Sequence, residues 1–183
     1  VMPLEISIDT KKPRGVLNIS TIKRIDQLQA VLQEYPELSK PLSIAEVVKF
    51  AKQAFYGGAE NMYALPNSQE KNFIMRYVPE MEGNQRTIIN SFVDTALQKT
   101  RISVQMANIG TTEIQRINED LRPRIDSIFP PERYNVEITG TSVVYLKGTN
   151  YLVNNLLTSL ILALIVISIL MAMLFTSARM VVI

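Results

Sequence analysis

The chain begins with a two-residue alternation: Leu4, Ile6 and Ile8 stand between Glu5, Ser7 and Asp9, the period of a half-buried β-strand. Pro13 and Gly15 interrupt it. Apolar positions then recur at steps of three and four, through Ile22, Ile25, Leu28, Leu32 and Tyr35, predicting a helix capped by Ser20 and closed by Pro36. Ser43-Ile44-Ala45-Glu46 reads as a capping box. It opens a second helix with Ile44, Val47, Val48, Ala51 and Phe55 on one stripe, ended by Gly57-Gly58. Residues 59–67 carry no clear period. Asn67, Ser68, Gln69 and Glu70 can start a short helix bearing Phe73, Ile74 and Tyr77, which Pro79 ends. Residues 86–98 fit helix and strand equally well.

Alternation returns at Ile102, Val104 and Met106, the clearest strand in the middle of the chain. Beyond Gly110, Ile114, Ile117, Leu121, Ile125 and Ile128 line one helical face, with Pro123 inside the pattern and Pro130-Pro131 after it. A proline there removes an amide donor and crowds the preceding turn, so a kink or a split is expected. Val136 and Ile138 then alternate with Glu137 and Thr139 before Gly140. The order strand, helix, helical insertion (about 43–80), strand, helix, strand predicts an α+β domain. Its expected form is a ferredoxin-like, split βαβ sheet with helices on one face. A second strand is expected either near residues 38–42 or within 86–94, and the pattern does not choose.

From Gly148 to Ala178 the chain runs 31 residues without a formal charge, and 35 of its 36 charged residues lie in 1–147. The run from Leu160 to Phe175 contains one hydroxyl, Ser168. About 20 apolar residues in a helix cross a bilayer core, so residues 156–175 are predicted to be a transmembrane helix. A buried helix of this length would need a larger core than 147 residues supply. The expected organisation is therefore an extracytoplasmic domain over 1–147 and a linker with the transmembrane helix over 148–178. Residues 179–183 would form a cytoplasmic turn and the start of a further helix. Lys147 and Arg179 flank the span one on each side, so the charge rule for orientation does not decide. Val1 is not an initiator Met and the last residues are apolar, so the chain reads as part of a longer protein.

Charge and composition then narrow the chemistry. A net charge of +2 without a basic cluster argues against nucleic acid. The absence of Cys and His excludes disulfides, Cys/His zinc sites and His-based hydrolytic triads. There is no glycine-rich phosphate loop, and the carboxylates show no paired spacing. No catalytic, cofactor-binding or metal-ligating residue stands out, and the chain is not expected to be an enzyme. Aromatic residues concentrate in the insertion. Phe50, Phe55, Tyr56, Tyr63, Phe73 and Tyr77 are candidates to line an apolar groove, or else they pack the short helices. Gly140 and Gly148 are candidate hinges where domain and membrane helix join, with simple strand closure or helix initiation as the other reading.

The segments VMPLEISIDTKK (1–12), TRISVQMANIG (100–110), DSIFPP (126–131) and TGTS (139–142), followed by the apolar run at 154–175, resemble the resistance-nodulation-division (RND) superfamily. Within it they are most similar to MMPL-type exporters. The resemblance implies a porter domain of ferredoxin-like units between the first and second transmembrane helices of a multi-pass protein in the bacterial inner membrane. It implies proton-driven export of hydrophobic or amphiphilic, lipid-like or drug-like molecules by alternating access. The implied partners are such molecules, the remaining helices and second porter domain of the same protein, and an accessory periplasmic protein. The proton-coupling residues would lie in a later helix. Relatives of this type carry two basic residues in the turn after the helix, whereas Thr176-Ser177-Ala178-Arg179 offers one. The competing expectation is a binding or scaffold domain anchored by a single span.

Overall fold

A computed structural model describes residues 2–67, 69–70 and 89–174. The chain forms two units, Val1–Val143 and Val144–Ile183. The first is an α+β domain with a three-stranded antiparallel sheet among the described residues. Strand β1 (Met2–Asp9) is central, between β2 (Lys99–Met106) and β3 (Asn135–Thr139). Ile6 stands opposite Ile102 on one side and Ile138 on the other. Leu4, Ile6 and Ile8 are buried together with Thr100, Ile102, Val104, Met106 and Val136. The alternating side chains Glu5, Ser7, Arg101 and Glu137 leave the opposite sheet face polar.

Helices α1 (Ile19–Leu32) and α3 (Thr111–Ile128) pack against each other and cover the apolar side. Ile22, Ile25, Leu28 and Leu32 of α1 and Ile114, Ile117, Leu121 and Ile125 of α3 are buried. Burying side chains of this size stabilises by roughly 1.5–3 kcal/mol each before entropy is counted, so these stripes specify how both helices sit. Helix α1 starts one residue earlier than its expected Ser20 cap. The Asn18 side chain accepts the Ser20 amide at 3.2 Å and is the N-cap. Helix α3 continues through Pro123 as one element rather than splitting. The proline forfeits one intrahelical bond, but Leu121 and Ile125, buried on either side of it, hold both turns on the same core.

Neither segment expected to hold a second strand forms a regular strand among the described residues; both make isolated bridges to β2 instead. Leu38 bridges to Met106 and Leu42 to Ser103, while Val93 bridges to Thr100. Ser39 donates its amide to Gln105 O at 2.8 Å, and Arg101 donates its own to Phe92 O at 2.9 Å. Both candidate segments thus line the outer edge of β2, each along a different half of it. An edge paired this way has few free donors and acceptors left to recruit another strand.

Helix α2 (Ile44–Phe55) lies in the insertion and packs on α1. Ser43 caps it, its hydroxyl accepting the Ala45 amide at 3.0 Å. Among the described residues the other half of the expected capping box is not made, because the Glu46 carboxylate is taken by Lys49 and Tyr63. Gly57 and Gly58 end the helix in left-handed conformations, φ +74° and +86°, which only glycine adopts without strain. The short helix expected from Asn67 falls on 71–88, outside the described residues, although the Asn67 side chain accepts the Gln69 and Glu70 amides as a cap would.

The second unit contains most of α4 (Thr141–Leu174), a helix of 34 residues. At 1.5 Å per residue it is about 51 Å long.

Candidate functional site

Helix α2 buries one side against the core and exposes two of its apolar residues. Ile44, Ala45, Val48 and Ala51 are buried, whereas Phe50 is 61 % and Phe55 51 % exposed. Phe55 thus stands half exposed although its spacing assigned it to the core stripe. Phe55 and Tyr56 meet edge to face with ring centroids 5.3 Å apart. Tyr63 comes to the other end of the helix, where its hydroxyl donates to Glu46 Oε2 at 2.6 Å. Of the candidate groove residues, the fold brings Phe55 and Tyr56 into contact, leaves Phe50 exposed midway along α2, and holds Tyr63 at the first turn. Phe73 and Tyr77 lie outside the described residues.

Two ionic clusters flank this aromatic face. At the first turn Lys49 Nζ lies 2.5 Å from Asp26 and 3.0 Å from Glu46, and Lys40 lies 3.3 Å from Glu46. Burial works against the charge on Glu46, but hydrogen bonds from Tyr63 and Lys49 outweigh it and hold the carboxyl below its ordinary value. Burial and the bond to Glu46 push the Tyr63 phenol up to about 12. At the last turn the Lys52 ammonium, itself buried, is 2.9 Å from Glu70, which also accepts the Tyr56 hydroxyl at 3.0 Å. Sequence reading placed Glu46 and Glu70 as capping or first-turn residues and missed these clusters. The only local sign was Glu46 three residues before Lys49, a spacing that pairs on one helix face. Asp26 and Tyr63 come from elsewhere in the chain, and no sequence spacing points to them.

These clusters tie Tyr63 and Glu70 to α2, while Phe50 and Phe55 stay more than half exposed. A separate shallow depression of about 340 Å³ lies on the polar side of the sheet, lined by Ser7, Asn90, Phe92, Thr100 and Arg101 among others. Arg101 already donates to Ser91 O at 2.5 Å and pairs with Glu5 at 3.3 Å, so its charge is engaged.

The two candidate hinges differ sharply. Gly140 follows β3 directly, with φ +108°. A Cβ there would stand 2.6 Å from Pro3 O and 3.1 Å from Glu5 N. Gly148 lies inside α4, and among the described residues a Cβ there would meet nothing within 4 Å.

Within α4, Tyr151–Met173 is a 23-residue segment of mean hydropathy 2.8, none of whose most apolar window is buried inside the chain. Its length and composition suffice to cross a bilayer. A family model, that of the MMPL family, matches residues 22–183, taking in most of the α+β domain and all of this segment. The chain belongs to the MMPL family. MMPL proteins are membrane transporters of RND type with lipid-like substrates, so the apolar helix and the resemblance of the shorter motifs point the same way. The match opens at Ile22, inside α1, so β1 and the 1–12 motif precede it. No individually curated protein matches this MMPL chain.

Proposed function

We propose that this chain is the first extracytoplasmic porter domain, with the following transmembrane helix, of a proton-driven exporter of hydrophobic or amphiphilic molecules. The protein is a multi-pass protein of the bacterial inner membrane working by alternating access, and residues 1–147 lie outside the cytoplasm. The carrying observation is the single family match that runs without a break through the domain core and the 23-residue apolar segment. The domain is read as ferredoxin-like. Support comes from the β2-β1-β3 order with both pairings antiparallel, and from residues 38–42 lying where the remaining strand of a split βαβ unit belongs.

The substrate-facing surface is assigned to the aromatic side of α2, with Phe50, Phe55, Tyr56 and Tyr63 described and Phe73 and Tyr77 following in sequence. Solvent-exposed phenylalanines are costly to leave in water and suit an acyl chain. The second porter domain and the remaining helices complete the pathway, and an accessory periplasmic protein receives the product. The test uses the full-length protein in proteoliposomes under an imposed pH gradient, with a fluorescently labelled lysophospholipid as probe. Movement of the probe that follows the gradient, and that Phe50→Asp reduces at least severalfold with protein abundance unchanged, is the expected result. Equal movement with and without the gradient sinks the proton-driven reading, and full activity of Phe50→Asp sinks the assignment of the surface.

A further inference from the structure

Gly140 and Gly148 are both glycines near the start of α4, yet only one of them is required by its surroundings. At Gly140 the positive φ disfavours ordinary side chains, and the three atoms nearest to where a Cβ would stand belong to the backbone of β1. Pro3 O, Glu5 N and Leu4 Cα would lie at 2.6, 3.1 and 3.2 Å. Backbone in the middle strand of a sheet cannot step aside as the end of a side chain can. One residue earlier, Thr139 pairs in register with Glu5, and its hydroxyl donates to Glu5 O at 3.2 Å. Thr139 held in register on one side and the Pro3–Glu5 backbone close against the Gly140 Cα leave the torsions of Gly140 little room to change.

Among the described residues nothing of this kind requires a glycine at 148. It lies in the helix interior, is exposed, and no described atom stands within 4 Å of where a Cβ would be. What remains of its character is backbone freedom, which lets a helix open more readily than alanine by about four- to fivefold.

We propose that Gly148 is the compliant turn of α4 and that Gly140 is the rigid seat from which the helix starts, so that α4 flexes about two turns along from its first residue and not at its junction with β3. The importance of this device for export rests on the transporter reading above; the local compliance does not.

Hydrogen exchange on the full-length protein in nanodiscs separates the two. Amides 148–152 are expected to exchange faster than those in the turns on either side, and Gly148→Ala slows them about fivefold. The same variant is expected to slow movement of the labelled lysophospholipid severalfold at unchanged abundance. Gly140→Ala instead accelerates exchange across the Glu5–Thr139 pairing. Exchange at 148–152 that Gly148→Ala leaves unchanged overturns the compliant turn, including the case in which Gly148 merely admits a close neighbouring helix. Slowed exchange with undiminished probe movement overturns its role in export. Wild-type β1–β3 protection in Gly140→Ala overturns the rigid seat. If the wild-type protein moves no probe at all, the transporter reading fails while the exchange results still decide the compliance.

Discussion

The Tyr63 hydroxyl donates to Glu46 Oε2 at 2.6 Å, tying a stretch without regular pattern to the first turn of α2. The same ring lies under the Lys40 ammonium, 5.8 Å from ring centroid to Nζ. Tyr63→Phe keeps the ring and removes the hydrogen bond. Because Glu46 retains Lys49 and Lys40 as partners, the expected loss is about 1 kcal/mol. Hydrogen exchange over residues 60–65 of the full-length protein should rise by about fivefold if that loss is local. No change in exchange would mean the loop is held by other contacts.

Acid should release the same loop. The Glu46 carboxyl lies below its ordinary value of 4.5 in the folded protein. A carboxylate depressed on folding contributes stability above its unfolded value, and that contribution is lost as pH falls below it. Exchange over residues 60–65 should therefore accelerate as pH is lowered through and below 4.5, after correction for the intrinsic rate. In Glu46→Gln the loop is expected to be loosened at neutral pH and to lose most of this acid response. An identical acid response in the variant would assign it to another carboxylate.

These contacts mark the boundary of what the sequence makes legible. Period-two and helical stripes identify β1, β2, β3, α1 and α3, because each must bury one face and the apolar residues record which. Leu38–Met106 and Val93–Thr100 were not legible, since single bridges leave no alternation behind. Asp26 reaches Lys49 across two helices, a contact set by packing and not by spacing along either one. Phe55 had the spacing of a core residue but stands 51 % exposed at the end of α2, where spacing alone does not tell which turn the core reaches. The long apolar helix was legible in outline, because an uncharged run of this length leaves few other readings, though it begins earlier, at Tyr151, than the expected residue 156.

Alkaline titration should distinguish two of the seven tyrosines. Burial and a hydrogen bond to Asp120 push Tyr35 up to about 12, and Tyr63 rises equally through burial and Glu46. A phenol raised on folding leaves stability intact below its unfolded value of 10 and erodes it as pH climbs toward 12. Tyrosinate absorbance of the full-length protein should show a late phase near pH 12, diminished in Tyr35→Phe and again in Tyr63→Phe. A variant that leaves the late phase whole would show that its tyrosine titrates with the others.

The apolar segment gives the most direct test of its environment. Leu162 stands at the middle of Tyr151–Met173 and is 62 % exposed within this chain. A charge at the centre of a spanning helix costs roughly 2.5–3.5 kcal/mol in insertion, whereas the same charge near the end can reach the interface. Leu162→Arg should accordingly reduce the carbonate-resistant membrane fraction of the full-length protein, while Leu152→Arg, one residue inside the span, should leave it close to wild type. Ser168→Ala should be silent, since a helical serine hydroxyl can satisfy itself on the preceding turn. If Leu162→Arg and Leu152→Arg behave alike, residue 162 faces a polar path or another protein surface and not lipid, and the face of α4 that meets hydrocarbon must be sought among Leu160, Leu164 and Ile167.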